Sequence, residues 1–426
     1  MGIKQGWDFA EWTGFIPESE IRRLLRYNVT YYFAGGKPGV IPTEIFAKIL
    51  IELGNEQLNN IHSGNETLVI DDYNYGPTGG KKWFLETLAS RLKERDHVPL
   101  GSDGWSKVTL TSGSQQALYA ILDTLIDPGD IILTPSPAYL GFLVPAVKLR
   151  SNIVTVPTDL DGIIPEYLEK AIEKSIARWN KTPDIIYIVP DSDNPKGTTL
   201  PLSRRKALFD IAETYDILII EDAAYKEIQF KGERIPPIKS FDKNNERVAY
   251  LSSTSKEAAV FRVGYSVLPD ALREEVLKDK GYLDLCTSTI LQKILNIYYR
   301  DYFDKVIDNV RNEYRKRYEA MSKAMDETFP PGVRTDPSGG FFIWWESDKP
   351  FDSSKFLEDV ALPNDILYVP GRAFYPLNGY TYDPEKEDIV QGHYSTNCMR
   401  LGFSYLKEDL IDKGIRRLGA LLSKEI

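Results

Sequence analysis

Cysteine is nearly absent: the 426 residues contain two, Cys286 and Cys398. Two cysteines cannot build a disulfide scaffold, so a reducing compartment, the cytoplasm, is the expected location. Histidine is almost as scarce, with His62, His97 and His393. None stands in ligand spacing with a cysteine or a carboxylate pair, so no metal site is expected. No apolar run approaches the ~18 residues that a membrane-crossing helix needs. The start, Met1 to Trp12, has neither a basic nor an apolar signal region, and no secretory leader is expected there. Positive charge is in deficit: 52 Lys+Arg stand against 62 Asp+Glu, a net charge of −10. That is the opposite of the basic footprint that nucleic-acid binding requires. Repeats and low-complexity linkers are missing. So is any strand followed by a GxGxxG helix start, which disfavours a nucleotide-dependent dehydrogenase.

What is present is an ordinary globular composition, 42% hydrophobic and 27% charged, on a chain too long for one small core. Strand-like apolar runs alternate with helical patterns through the middle, which predicts an α/β fold with a largely parallel sheet. The runs are Val108–Leu110, Ile131–Leu133, Ile153–Val156, Asp184–Val189, Ile217–Ile220, Val248–Ser252 and Val263–Leu268. Helices are expected over Ser114–Ile126 and Ser203–Tyr215. The character changes at Leu285–Phe329, a long charged helical stretch that Pro330-Pro331-Gly332 ends. Aromatic strands follow at Phe341–Trp345, Ile366–Val369 and Met399–Phe403, then a helix from about Lys407. The expected division is an N-terminal arm over 1–60 packing with the smaller domain, a large domain over 61–300, and a smaller α+β domain over 301–426. Gly35 to Pro42 reads as a loop.

Chemistry gathers at predicted strand ends, where open α/β sheets place ligands. Lys256 follows the apolar strand Val248–Leu251 within Ser252-Ser253-Thr254-Ser255, and Arg262 comes soon after. Hydroxyls, an amine and a guanidinium at a strand end are suited to hold an anion beside a nucleophile. Thr111-Ser112-Gly113-Ser114-Gln115 opens a helix, whose free N–H groups make a ready anion site. Taken alone, such a turn is more often only a cap. Two prolines stiffen the loop Pro135-Ser136-Pro137-Ala138-Tyr139 and could hold the Tyr139 ring against a planar ligand. Asn194-Pro195 marks a turn after a buried strand, with an amide free to donate. Glu221-Asp222 ends an apolar strand, which is costly unless a cation or donor meets it, and Tyr225 follows. Together these features suit a flat phosphorylated pyridine aldehyde, with Asp222 keeping the ring nitrogen protonated.

The chain resembles the fold-type I pyridoxal-phosphate enzymes of the class I/II aminotransferase family. Within that family it is most similar to the branch with aromatic-amino-acid, 2-aminoadipate and kynurenine aminotransferases. The resemblance runs from about Ile16 to the C-terminus. It rests on YGPTGG at Tyr75, GSQQAL at Gly113, PAYLG at Pro137, NPKG at Asn194, EDAAY at Glu221, SK at Ser255 and MRLGFS at Met399. It implies pyridoxal 5'-phosphate as cofactor and Lys256 as the Schiff-base lysine and proton shuttle. Asp222 takes the place of the pyridinium partner, Asn194 and Tyr225 those of donors to the ring oxygen, and Tyr139 that of the stacking aromatic. Ser114, Gln115, Ser253, Ser255 and Arg262 correspond to the phosphate cup. Tyr75 corresponds to a tyrosine that reaches the neighbouring subunit's phosphate, which implies a homodimer with shared sites. Arg400 corresponds to the arginine that grips the substrate carboxylate, and Gly36 to the loop that closes over substrate.

Two departures stand out. Lys196 replaces the usual threonine of Asn-Pro-Thr-Gly. The segment Glu257-Ala258-Ala259-Val260-Phe261 lacks the usual Pro-Gly and is one residue shorter, so Arg262 is expected to approach the phosphate differently. The resemblance implies exchange of an amino group between an amino acid and a 2-oxo acid such as 2-oxoglutarate. The amino acid is expected to be aromatic, 2-aminoadipate-like or broad-range. Arg22, in Ser19-Glu20-Ile21-Arg22 with Leu24 and Leu25 on the apolar face, matches an arm arginine that meets acidic side chains. Tyr32 and Phe33 in the same arm favour aromatic or aliphatic ones. A lyase or cyclase of the same fold would use the same lysine. A transcriptional regulator would need a DNA-binding domain, and only a short arm precedes Ile16.

Overall fold

The computed structural model describes residues 8–14, 16, 18, 20–24, 26–392 and 394–426. Ser19, Leu25, His393 and the first seven residues lie outside the described set, as does the side chain of Ile21. The fold is α/β, as the alternating runs predict. Its large sheet has the spatial order Asp388–Gln391, Tyr380–Asp383, Asn152–Asp159, Ile131–Ser136, Ile185–Ile188, Leu218–Asp222, Val248–Ser253, Gly264–Val267 and Val108–Thr111. The neighbours from Tyr380–Asp383 to Val248–Ser253 pair in parallel. Gly264–Val267 runs antiparallel to both of its neighbours. The strands Val108–Thr111, Ile185–Ile188 and Val248–Ser253 are buried throughout. Burial on both faces is why Ile185–Ile188 and the start of Val248–Ser253 read as continuous apolar runs; Val108–Thr111, Val-Thr-Leu-Thr, is buried throughout and still alternates.

A second sheet of four strands orders Gly332–Arg334, Phe342–Ser347, Cys398–Gly402 and Val369–Pro370. The helices Phe303–Thr328 and Glu408–Glu425 pack against each other beside it. The long helical stretch expected over Leu285–Phe329 is divided into Thr289–Ile297 and Phe303–Thr328 by a π-helical turn at Tyr298–Tyr302.

Two boundaries differ from expectation. The hairpin Tyr380–Asp383/Asp388–Gln391, which a division at residue 300 gives to the smaller domain, forms an edge of the large sheet by pairing with Asn152–Asp159. The first 60 residues also split. Leu24, Phe33 and Ala34 join the apolar cluster of the four-stranded sheet, whereas Phe46, Ile49 and Leu53 of the helix Thr43–His62 join that of the large sheet. Tyr31–Tyr32 pairs in parallel with Ile366–Leu367. Residues 33–42 follow without helix or strand, in keeping with the loop expected from Gly35 to Pro42. No helix among the described residues is long and apolar enough to cross a membrane.

Candidate active site

The parallel strands end on one side in a cavity of about 130 Å3. Ser114, Gln115, Tyr139, Asn194, Asp222, Tyr225, Ser253, Ser255, Lys256 and Arg262 all line it. Ten residues scattered over 149 positions thus meet at the carboxyl edge of one sheet, as ligand sites in open α/β sheets do. A wider hollow of about 730 Å3 lies at the opposite strand ends, around Asp184, Asp216, Leu218 and Arg247. Size alone does not find the chemistry.

One wall is an anion cradle. Gly113 caps the helix Ser114–Leu125 at φ 84° without any side-chain cap, so the first N–H groups of that helix are free. A Cβ on Gly113 would stand 2.5 Å from the Arg262 guanidinium, which is why glycine is required there. Arg262 donates to Ser255 Oγ at 2.8 Å, and Ser255 Oγ lies 2.8 Å from Ser253 Oγ. The shortened segment before Arg262 forms a turn of 3-10 helix, Ala259–Phe261, and leaves Arg262 itself left-handed at φ 49°. That local conformation delivers the guanidinium to the cradle without Pro or Gly.

The opposite end is acidic. Asp222 is buried, and its Oδ2 accepts from the Tyr187 hydroxyl at 3.2 Å. Its Oδ1 has no partner. Burial raises its pKa to about 6, against the lowering effects of the Tyr187 hydrogen bond and the Lys256 charge. Between the two ends sits the Lys256 amine, 4.6 Å from the centre of the Tyr225 ring. Burial pushes the amine below its ordinary value; Tyr139 and Asp222 resist this, while Arg400 and Arg262 add to it. The Tyr139 hydroxyl donates to Gln115 Oε1 at 3.2 Å, and burial lifts its pKa to about 12. The Ser136–Pro137 and Asn194–Pro195 peptide bonds are both cis.

Arg400 is fully buried on the strand Cys398–Gly402. It donates to Asn194 Oδ1 at 2.7 Å and to the Ala34 carbonyl at 2.5 Å. Its guanidinium lies 4.0 Å over the Phe342 ring, and its Nε is unpartnered. Burial lowers its pKa to about 10, so it stays charged at neutral pH. No carboxylate pairs with it among the described residues, and a buried cation without a counter-charge is costly. Gly36 leans on the same Phe342 ring, where a Cβ would come within 2.9 Å.

Tyr75 and Arg22 do not line this cavity. Tyr75 is 77% exposed. Arg22 is exposed on the helix Glu20–Leu24, whose neighbouring Arg23 pairs with Glu20 and Glu358. Lys196 turns away as well: its ammonium donates to Thr158 Oγ1 at 2.9 Å and to the Asp159 carbonyl at 3.0 Å. It ties the Asn194 loop to the end of Asn152–Asp159, which accounts for a lysine in place of threonine. Tyr187 and Phe342 were not expected at the site. Tyr187 left one signal, a lone hydroxyl in the apolar strand Ile185–Ile188. Phe342 left none, because an aromatic in a buried strand reads as core.

A family profile described as aminotransferase class I and II matches residues 70–418. The chain is 35% identical over 98% of its length to aromatic-amino-acid aminotransferase 1 of Thermococcus litoralis, covering 94% of that protein. It is 30% identical to the 2-aminoadipate transaminase of Thermus thermophilus, over 97% of this chain and 96% of that one. Among solved structures, the kynurenine aminotransferase of Pyrococcus horikoshii superposes with a TM-score of 0.85 at 32% identity, over 98% of this chain and 97% of that one. The chain therefore belongs to the class I and II aminotransferase family.

Proposed function

We propose that the cavity holds pyridoxal phosphate on Lys256. In this reading the enzyme moves an amino group between an amino acid and a 2-oxo acid. Glutamate with 2-oxoglutarate is the common pair, and aromatic or 2-aminoadipate-like amino acids are the other partner. The carrying observation is the pairing of the Lys256 amine with a buried, unpartnered Asp222 oxygen across a cavity that ends in the Arg262–Ser255 cradle. The residues fit the group. Asp222 Oδ1, buried and without a partner, suits the N–H of a pyridinium, and the Arg262 guanidinium, the serine hydroxyls and the uncapped helix start suit a phosphate. Tyr139 supplies a flat wall, and Asn194 and Tyr225, the pair assigned to the ring oxygen, line the same cavity.

Pyridoxal phosphate, when bound, supplies an aldehyde for the substrate amine and a ring that takes up electron density from Cα. The chain supplies the rest. Ser114, Gln115, Ser253, Ser255 and Arg262 hold the phosphate. Asp222 keeps a proton on the ring nitrogen. Lys256 Nζ takes the proton from the substrate Cα and returns it on the other side of the exchange. Arg400 grips the α-carboxylate, which completes its missing ion pair, and Gly36 lets its loop pack closely on the Phe342 ring beside that carboxylate site. The same lysine could serve a lyase, but no feature of the site favours one.

We also propose a cytoplasmic homodimer that shares its sites through Tyr75. Leu50, Ile51, Leu58, Ile61, Leu68 and Ile70 are exposed on Thr43–His62 and Glu66–Asp72, and Val260 beside the cradle is 80% exposed. An apolar surface of this kind supports association. Single-turnover spectra of the loaded enzyme with a panel of amino acids test the reading. Conversion of the chromophore with release of the matching 2-oxo acid is expected. Release of ammonia or a cyclised product would replace aminotransfer by elimination.

A further inference from the structure

The loop over residues 33–40 is pinned at several points. The Ala34 carbonyl takes Arg400, the Lys37 carbonyl takes Ser404 Oγ at 2.7 Å, and the Val40 N–H donates to the Tyr314 hydroxyl at 3.2 Å. Its backbone is therefore fixed beside Arg400, and the direction of its side chains carries information. Tyr32 folds back over this loop, so that a Cβ on Gly35 would meet its hydroxyl at 2.5 Å. That hydroxyl is buried and has no partner. Burial raises the Tyr32 pKa, and the nearby Arg400 charge works against that rise. Its ring packs edge-on against Tyr405 at 5.8 Å. The Lys37 ammonium lies 5.6 Å from the Tyr32 ring centre and 5.8 Å from that of Tyr405. Lys37 is exposed and joins no ion pair among the described residues.

The unsatisfied hydroxyl thus stands over Gly35, next to the Ala34 carbonyl that Arg400 holds, and the Lys37 ammonium lies against the ring that carries it. Arg400 is buried and Lys37 stands at the rim. The two aromatic faces hold the ammonium in place without neutralising it. A solvated lysine needs no such seat, and a tyrosine hydroxyl shut away from water needs a partner. We infer that Lys37 and Tyr32 form a distal subsite for the side-chain carboxylate of a dicarboxylic amino or 2-oxo acid whose α-carboxylate rests on Arg400. This deepens the reading under Proposed function and rests on it for Arg400. Tyr32 donates a hydrogen bond to that carboxylate and Lys37 pairs with it. Apolar substrates use the same aromatic faces without the charge. Lys37 and Tyr32 are specificity-determining residues, with no part in proton transfer.

The test is calorimetric titration of the loaded enzyme with glutarate and with pentanoate, which share a carbon count and differ by one carboxylate. The parent protein is expected to prefer glutarate by about tenfold. In Lys37→Met the preference collapses, with glutarate weakened about tenfold more than pentanoate, whereas Lys37→Arg keeps most of it. Tyr32→Phe loses part of it. The ratio of kcat/KM for glutamate to that for phenylalanine shifts in the same direction. Two results would overturn the subsite: a parent without preference, or a Lys37→Met protein that keeps it or weakens both ligands alike. Loss of the preference in Arg22→Ala, with Lys37→Met unaffected, would also overturn it and move the subsite to the arm helix. Attachment of the cofactor to Lys256 is read separately from absorbance before titration. A failure there strikes the functional reading, and the glutarate comparison still decides for or against Lys37.

Discussion

At the scale of single residues, Asp222 and Lys256 carry opposite pKa shifts with one common cause. Burial disfavours the charged form of each. A cation at Asp222 Oδ1 relieves the first, so Asp222→Ala removes the partner that keeps the ring charged. Its kcat is expected to fall at least about a hundredfold, roughly 3 kcal/mol, and by much more than that of Asn194→Ala. Turnover close to the parent's in Asp222→Ala would place the ring nitrogen elsewhere. The depressed Lys256 makes a second prediction. Its amine loses a proton at lower pH than an ordinary lysine, so attachment of the cofactor to the empty protein speeds up with pH through a midpoint below 10.5. Stopped-flow absorbance reads that midpoint, and an unshifted one would contradict a buried amine.

Glu257, next to Lys256, gives a prediction about stability. It is buried, its Oε1 accepts from the Tyr299 hydroxyl at 3.1 Å, and its Oε2 has no partner. Burial and then Glu227 raise its pKa to about 8, from 4.5. The folded state therefore keeps a proton that the unfolded chain loses, and stability falls as pH rises from about 4.5 to 8. Glu257→Gln should remove that slope and gain at least about 1 kcal/mol at pH 8 relative to pH 5. Denaturant midpoints at the two pH values measure it, and a parallel loss in both proteins would count against the assignment.

At the scale of elements, what was legible in the sequence followed burial. Ile185–Ile188 and Val248–Ser253 are enclosed on both faces, so each opens as an apolar run, and site residues stand just past them. Tyr380–Asp383 and Asp388–Gln391 have no such signature. They are short strands with mixed burial, only Asp388–Gln391 lies at the sheet edge, and Tyr380–Asp383 pairs with a strand more than 220 residues earlier. The Tyr187 and Phe342 contacts escaped because side-chain convergence across sheets leaves no local pattern. The turn at Gly113 was legible, but its reason is steric. Gly113→Ala meets both a left-handed φ and the Arg262 guanidinium. Strain of about 1–3 kcal/mol should move Arg262 and weaken cofactor binding about tenfold or more. Fluorescence titration of the empty protein with pyridoxal phosphate reads this, and an unchanged affinity would mean that Arg262 does not hold the phosphate.

At the scale of the whole molecule, the exposed apolar side chains on Thr43–His62 and Glu66–Asp72 support the proposed second copy. Sedimentation should give a dimer at micromolar concentration. Mixing Tyr75→Phe with Lys256→Ala should then restore part of the activity that each lacks, whereas a monomer would end the shared site. The central claim is that one buried amine at the end of Val248–Ser253 carries the cofactor. Borohydride reduction of the loaded enzyme, followed by peptide mapping, tests it most directly. A single pyridoxyl adduct on Lys256 is expected; an adduct on another lysine, or none, would place the cofactor elsewhere.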